Sequence, residues 1–144
     1  MAQGMRLTFT TKGIMESTGL SRRKVQMARD YFNQTVQSEL EKLILENFDK
    51  LSTGGRGVNR RKWKPLEPST IKRKGNNLIG VDKGDLRASL KLTTNNRGTV
   101  AAFGTDHAEY FDAVRPLLPD ELPATWARKI EKAATKAIIR VLGQ

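Results

Sequence analysis

The longest pattern in the sequence is a stripe of apolar side chains that recurs every three or four residues between positions 21 and 51. This spacing places them on one face of an α-helix of about 30 residues, about 45 Å long at the usual rise. The stripe consists of Val25, Ala28, Phe32, Val36, Leu40, Leu43, Ile44 and Phe48. Ser21 is a suitable N-cap for this helix. In a chain of 144 residues, we expect so long a helix to extend past the core or to pack on another subunit.

The remaining segments predict a small antiparallel sheet and a second long helix. Alternating apolar and polar residues favour a strand at 5–11 and two hairpin arms at Ser89–Thr94 and Thr99–Phe103. Apolar residues at helical spacing favour a C-terminal helix at Asp120–Leu142. Asp120 and Glu121 would lie at the positive end of its dipole. Short helices are expected at Ser69–Lys74 and Ala108–Ala113. We therefore predict one α+β domain over residues 1–144, with both long helices packed on the sheet.

A glycine-rich basic segment follows the long helix. Residues 52–62 contain three glycines and four basic side chains, a composition typical of a flexible loop. The next residues, Trp63, Pro65 and Leu66, join an aromatic ring to a stiff and apolar stretch. We interpret these three as a buried structural anchor.

Positive charge is the strongest chemical signal in the composition. The chain has 26 Lys and Arg against 15 Asp and Glu, a formal net charge of +11. Three clusters carry much of it: Arg22, Arg23, Lys24, Arg60, Arg61, Lys62, Lys72, Arg73 and Lys74. Such clusters bind nucleic-acid phosphates or acidic protein partners, and the sequence leaves both interpretations open. A ring beside basic residues can stack on a base, but we favour burial for Trp63 and expect removal of the second cluster to change DNA binding little.

Catalytic and metal-binding patterns are scarce. The sequence has no cysteine and one histidine, His107, beside the acidic residues Asp106, Glu109 and Asp112. Carboxylates in such a place more often cap and solvate a short helix than bind a metal. The glycines at 54–57 lack the Gly-Lys-Ser/Thr of a phosphate-binding loop. We therefore expect no enzyme activity, no metal and no cofactor.

Neither secretion nor a membrane is expected. Residues 1–10 contain no apolar core of a secretory signal, and no apolar run reaches the length that spans a bilayer. The absence of cysteine agrees with synthesis in a reducing cytosol.

Several segments resemble one protein family. Residues 63–70, Trp-Lys-Pro-Leu-Glu-Pro-Ser-Thr, resemble the W-x-P-L-x-x-x-T segment of phage virion morphogenesis proteins, the tail-completion or neck proteins of Mu-like phages. The family's next segment is L-x-x-T-G-x-L-x-x-S, which Gly84, Leu86 and Ser89 match, while Lys83 stands in place of the threonine.

Later segments follow in the family's order. Val100–Thr105 resembles the family's hairpin end, and Tyr110 its tyrosine-containing segment. Arg115–Pro119 resembles R-P-F-L-G, with a leucine for the aromatic residue and a proline for the glycine. The family's H-x-x-G stretch after the tyrosine is shortened or absent here. The resemblance adds four residues to the structural anchors: Gly84, Leu86, Arg115 and Pro116.

The resemblance implies a structural protein of the phage neck. It would complete the tail and join it to the head as a homo-oligomeric ring, six-fold by expectation, around the DNA channel. Its partners would be copies of itself, head-completion proteins, tail-terminator or tail-tube proteins, and DNA in the channel. It would assemble in the host cytoplasm and reside in the virion neck. The alternative function is sequence-independent DNA binding through the basic clusters. For the ring we expect the long helix and the hairpin edge to supply the two complementary surfaces.

Overall fold

The chain folds into helices packed on a small sheet. The computed structural model describes residues 5–7, 22–81, 84–95, 98–106 and 108–143. The helices within these ranges are α1 Arg22–Ser52, α2 Pro68–Lys74, α3 Asp85–Ala88, α4 Ala108–Val114 and α5 Ala124–Leu142. The strands are β1 Met5–Leu7, β2 Leu90–Asn95 and β3 Gly98–Phe103. The predicted α+β class, with two long helices on an antiparallel sheet, is confirmed.

The sheet has the strand order β1-β3-β2, and both pairings are antiparallel. β2 and β3 form the predicted hairpin, in which Leu90 is opposite Phe103 and Asn95 is opposite Gly98. The two turn residues lie outside the described ranges. β3 is the central strand, since both of its edges pair with neighbouring strands. Its alternate side chains are buried on one face of the sheet. Of the described strands in the hairpin, only β2 has an outer edge without a strand partner.

The apolar stripe of α1 forms one wall of the core. Its side chains from Ala28 to Phe48 are buried, and Leu51 continues the buried row. The side chain of Val25 and the N-cap candidate Ser21 lie outside the description. α1 packs along α5 and against β2 and β3. α5 and the sheet cover much of the apolar face of α1 within one subunit, and packing of α1 on another subunit stays a prediction.

α5 begins later than the sequence predicts. Pro123 has an extended backbone (φ −61°, ψ 140°) and precedes the first helical residue, Ala124. A proline disfavours the helical region for the residue before it, so the chain cannot be helical through Leu122. Asp120 and Glu121 consequently lie in bends before the helix and not in its first turn. The core-facing side chains of α5 are Trp126, Ile130, Ala134 and Val141, as its spacing predicted.

The segment at 52–62, for which the sequence predicts flexibility, contains a hydrogen-bonded turn. The Gly57 amide donates to the Arg61 carbonyl and the Arg60 amide donates to the Gly57 carbonyl, each at 2.9 Å. The Asn47 side chain accepts the Val58 amide at 2.8 Å and so holds the turn against α1. Composition does not predict the bond to Asn47, because this acceptor lies in α1, more than one turn before the helix ends at Ser52.

Candidate functional site

The two segments that carry most of the resemblance contact each other directly. The Trp63 indole Nε1 donates to the Pro116 carbonyl at 2.8 Å. In return, the Arg115 guanidinium donates to the Lys64 carbonyl at 2.8 Å and to the Pro65 carbonyl at 3.4 Å. We call this reciprocal set of bonds the clasp. It holds together two stretches of chain that are about 50 residues apart.

The clasp is built on a cluster of aromatic rings. Trp63 is 4% exposed and meets Phe48 and Phe111 edge to face, at centroid distances of 5.2 and 5.0 Å. The Arg115 guanidinium lies 5.7 Å from the centre of the Phe111 ring, within the range of a cation–π contact. The structure thus places Trp63 in the core and not on a surface where a base could stack. Pro65, assigned to the same anchor, is exposed.

Gly80 lies where this cluster leaves no space for a side chain. Its φ is +78°, and a Cβ there would come within 3.0 Å of Phe111 and 3.2 Å of Phe48. Both the backbone conformation and the close rings require glycine. Local sequence patterns do not identify Gly80, because the rings that exclude a Cβ come from distant parts of the chain.

The second segment of the resemblance forms a corner between α1 and the hairpin. Gly84 has a φ of +80° immediately before α3, and Leu86 is 2% exposed. The Ser89 hydroxyl donates to the Leu86 carbonyl at 2.6 Å and accepts the Gly104 amide at 3.1 Å. These bonds join α3 to the end of β3. Of the predicted anchors, Gly84 thus starts α3 with a positive φ, and Leu86 is buried in the core.

One two-pronged ion pair ties this corner to α1. The Arg87 guanidinium donates to the two carboxylate oxygens of Asp49 at 2.8 and 2.9 Å. The hydrogen bond to Asp49 raises the pKa of Arg87 above its ordinary value. Both side chains are about half exposed, so solvent weakens the attraction.

The predicted basic clusters lie on three separate elements: the start of α1, the turn after it, and α2. The members described as exposed are Arg23, Arg60, Arg61, Lys62, Lys72 and Arg73. Lys24 and Lys74 are half-buried, and the side chain of Arg22 lies outside the description. Lys74 donates to the Leu78 carbonyl at 2.6 Å, so its ammonium group closes the end of α2. The clusters are thus dispersed along the chain's elements.

The acidic residues near α4 have a structural use. His107 lies outside the described residues. The Asp112 carboxylate accepts the Leu117 amide at 2.8 Å and fixes the chain as it leaves α4. Asp106 and Glu109 are exposed. Among the described residues, no three metal-ligating side chains come together.

An open groove runs along α1 and reaches β2. It is lined by Asp30, Asn33, Gln34, Gln37, Ser38, Glu41 and Thr94. The Thr94 hydroxyl donates to the side-chain amide oxygen of Gln37 at 3.0 Å and lies 3.0 Å from the Thr99 hydroxyl. The bond between Thr94 and Gln37 joins β2 to α1 within the groove.

Two exposed apolar pairs stand out on the surface. Met27 and Tyr31 on α1 are 41% and 42% exposed, and we call them the α1 patch. Tyr110 and Val114 on α4 are 78% and 56% exposed, and we call them the α4 patch. Each pair is four residues apart, so its members are neighbours on one helix face. Large apolar side chains paired in this way mark candidate protein contacts.

The exposed face of α5 carries a set of cations that the sequence analysis did not group. They are Arg128, Lys129, Lys132, Lys136 and Arg140. The last three follow Arg128 at intervals of four residues, a spacing that was visible in the sequence and would have identified them.

Neither protein-family models, nor curated proteins, nor solved structures match this chain significantly. None of the described helices is both long and apolar enough to cross a lipid bilayer.

Proposed function

We propose that this chain is a structural phage neck protein, which completes the tail and joins it to the head as a homo-oligomeric ring around the DNA channel. The clasp is the observation that carries the proposal. The segments at 63–70 and 115–119, which resemble the family at distant positions, meet through three reciprocal hydrogen bonds. Direct contact between the two segments is what a shared family core would show.

The side chains that could have served chemistry have structural roles instead. Trp63 is packed between two phenylalanine rings, Arg115 binds two carbonyls, and Asp112 caps the chain after α4. These roles favour an assembly protein over an enzyme. They also leave sequence-independent DNA binding through the predicted basic clusters as the weaker alternative, since Trp63 is not available to a base.

A closed ring needs two different surfaces on each subunit that fit each other. We assign them to the α1 patch and the α4 patch. We choose the α4 patch over the hairpin edge expected from the sequence because it presents large exposed apolar side chains. The outer edge of β2 has no strand partner among the described residues and stays the alternative surface.

The charges around the two patches are mostly opposite in sign, although Asp30 lies beside the α1 patch and Arg115 follows Val114. Arg23 and Lys24 lie one helical turn before Met27 and therefore border the α1 patch. The stretch 104–114, which contains the α4 patch, has three acidic residues and no Lys or Arg in a chain of net charge +11. Complementary charge orients two such surfaces toward each other and disfavours contact between like surfaces. A head-to-tail contact follows, and repetition of that contact closes a ring when the rotation between subunits returns to the first copy.

In the virion this ring would lie at the neck. Its two faces would contact head-completion proteins on one side and tail-terminator or tail-tube proteins on the other. We expect six copies, and assembly in the host cytoplasm before the head and tail join.

The test uses paired variants of the full chain. The α1-patch variant is Tyr31→Ser and the α4-patch variant is Tyr110→Ser. The matched control is Ile139→Ser, which removes an apolar side chain that is 64% exposed on α5 and belongs to neither patch. The mass of each species in solution is measured by sedimentation and by native mass spectrometry.

Wild type and control should form the same closed oligomer, and each patch variant alone should be monomeric. An equimolar mixture of the two patch variants should give a one-to-one dimer, because one intact α1 patch then meets one intact α4 patch. Patch variants that retain the wild-type oligomer, or a wild-type chain that is monomeric at every concentration, would contradict the proposal.

A further inference from the structure

We infer that the exposed face of α5 binds the phosphate backbone of duplex DNA. We call this face the α5 basic face; it comprises Arg128, Lys129, Lys132, Lys136 and Arg140. All five side chains are exposed. None of them has an ion pair or a side-chain hydrogen bond with another residue in the described ranges. Glu131 is the one acidic residue in the α5 sequence. The face is therefore a concentrated positive surface whose charges are not used within the subunit.

The spacing of these cations is regular. Arg128, Lys132, Lys136 and Arg140 follow one another at intervals of four residues, which is about 6 Å along a helix. The row is thus about 18 Å long. Each strand of duplex DNA presents a phosphate about every 3.4 Å of its axis, so a row of this length meets several phosphates. The opposite face of α5 holds Trp126, Ile130 and Ala134 in the core, which fixes the row on the outside.

The stability of the helix does not explain these charges. Like charges four residues apart repel each other on a helix, and the row contains three such pairs in succession. The negative end of the helix dipole favours cations only in the last turn, where Arg140 lies. Arg128 and Lys129 lie near the opposite end, and the first turn has no acidic residue. A bound polyanion would offset the repulsion that the isolated subunit retains.

Protein and single-stranded partners fit this face less well. Protein interfaces are depleted in charge at their centre and use aromatic anchors, and single strands stack their bases on aromatic rings. The aromatic residue of α5, Trp126, is 5% exposed and faces the core. A face of cations without an exposed ring matches contact with phosphates of a duplex.

The inference deepens the proposed function, on which it rests for the choice of DNA over RNA. It assigns the α5 basic face to the wall of the channel through which the genome passes. DNA binding and ring formation are measured separately, so that either can fail without the other.

The experiment compares two variants that remove equal charge. The α5 variant carries Lys129→Gln, Lys132→Gln and Lys136→Gln. The control variant removes three exposed cations from α1 and β2, and it carries Arg29→Gln, Lys42→Gln and Lys91→Gln. Each lowers the formal net charge from +11 by three, to +8. Glutamine favours helices, so α5 should still form, and the loss of like-charge pairs should leave its melting temperature unchanged or higher.

Affinity for a fluorescent 30-base-pair duplex is measured between 50 and 200 mM salt, together with the oligomeric state. Five phosphate contacts per subunit predict that the affinity of the wild type and of the control falls about 500-fold over this range. The two contacts left in the α5 variant predict a fall of only about 12-fold, from a weaker starting affinity. The same oligomer in all three proteins would show that the difference in DNA affinity does not come from a difference in assembly.

Equal salt dependence in both variants would overturn the inference, because affinity would then follow net charge and not the α5 basic face. Undiminished binding by the α5 variant would overturn it as well. A duplex RNA of the same length, bound much more tightly than the DNA, would contradict the choice of DNA.

Discussion

Replacement of Trp63 by phenylalanine tests whether the clasp stabilises the fold. The substitution keeps a ring in the core but removes the indole N–H that donates to the Pro116 carbonyl at 2.8 Å. It also alters the edge-to-face contacts with Phe48 and Phe111. Trp63→Ala would lower the free energy of unfolding by about 3–5 kcal/mol, which is a large part of the stability of a small domain. The phenylalanine variant is preferred because it should remain folded.

Trp126→Phe is the matched control. Trp126 is 5% exposed, against 4% for Trp63, but it has no side-chain hydrogen bond and no ring contact with another described residue. Both variants lose similar buried area, and only Trp63→Phe loses a hydrogen bond, which contributes about 0.5–1.5 kcal/mol. Ring pairs add about 0.5–1.5 kcal/mol when their geometry is good. We expect Trp63→Phe to cost about 1–2 kcal/mol more than Trp126→Phe.

Chemical unfolding followed by fluorescence measures this difference, with one tryptophan retained in each variant as the probe. Equal destabilisation of the two variants would refute the reasoning, because the clasp would then contribute nothing beyond buried area. A Trp63→Phe protein of wild-type stability that had lost DNA affinity would instead identify Trp63 as a base-stacking residue.

Three further changes test other parts of the account. Gly80→Ala should cost about 1–3 kcal/mol more than Gly75→Ala, because both glycines have a positive φ but only Gly80 has rings within reach of a Cβ; equal unfolding free energies would contradict this. A double-mutant cycle on Asp49 and Arg87 should give a coupling of about 0.2–1 kcal/mol that declines as salt is added, and a coupling unaffected by salt would show that the pair is not electrostatic. Asn47→Ala should speed protease cleavage in the turn after α1, since the turn then loses its bond to the helix; unchanged cleavage would mean that its own hydrogen bonds suffice.

The two long helices and the hairpin were predictable because their patterns are local. The α1 stripe and the core face of α5 follow from side-chain spacing, and both are buried as expected. The start of α5 was missed because acidic residues suggested a first turn, whereas Pro123 prevents helix before it. The hydrogen bond that holds the basic turn to α1 could not be predicted from the composition of the turn, because its side-chain acceptor, Asn47, comes from α1.

The clasp and the exclusion of a Cβ at Gly80 could not be predicted from local pattern. Both depend on contacts between residues that are tens of positions apart, and no spacing rule connects Trp63 with Pro116. The resemblance indicated that both residues matter without showing that they touch. The α5 basic face is the opposite case, because its spacing was visible and its exposure was not.

Closure of identical subunits into a ring is the central claim, and images of the purified full-length protein test it most directly. Negative-stain class averages, with native mass spectrometry for the copy number, would show both the symmetry and the central opening. The account predicts closed rings of six copies with an opening wide enough for duplex DNA. Monomers at every concentration, or open filaments without a closed form, would contradict it.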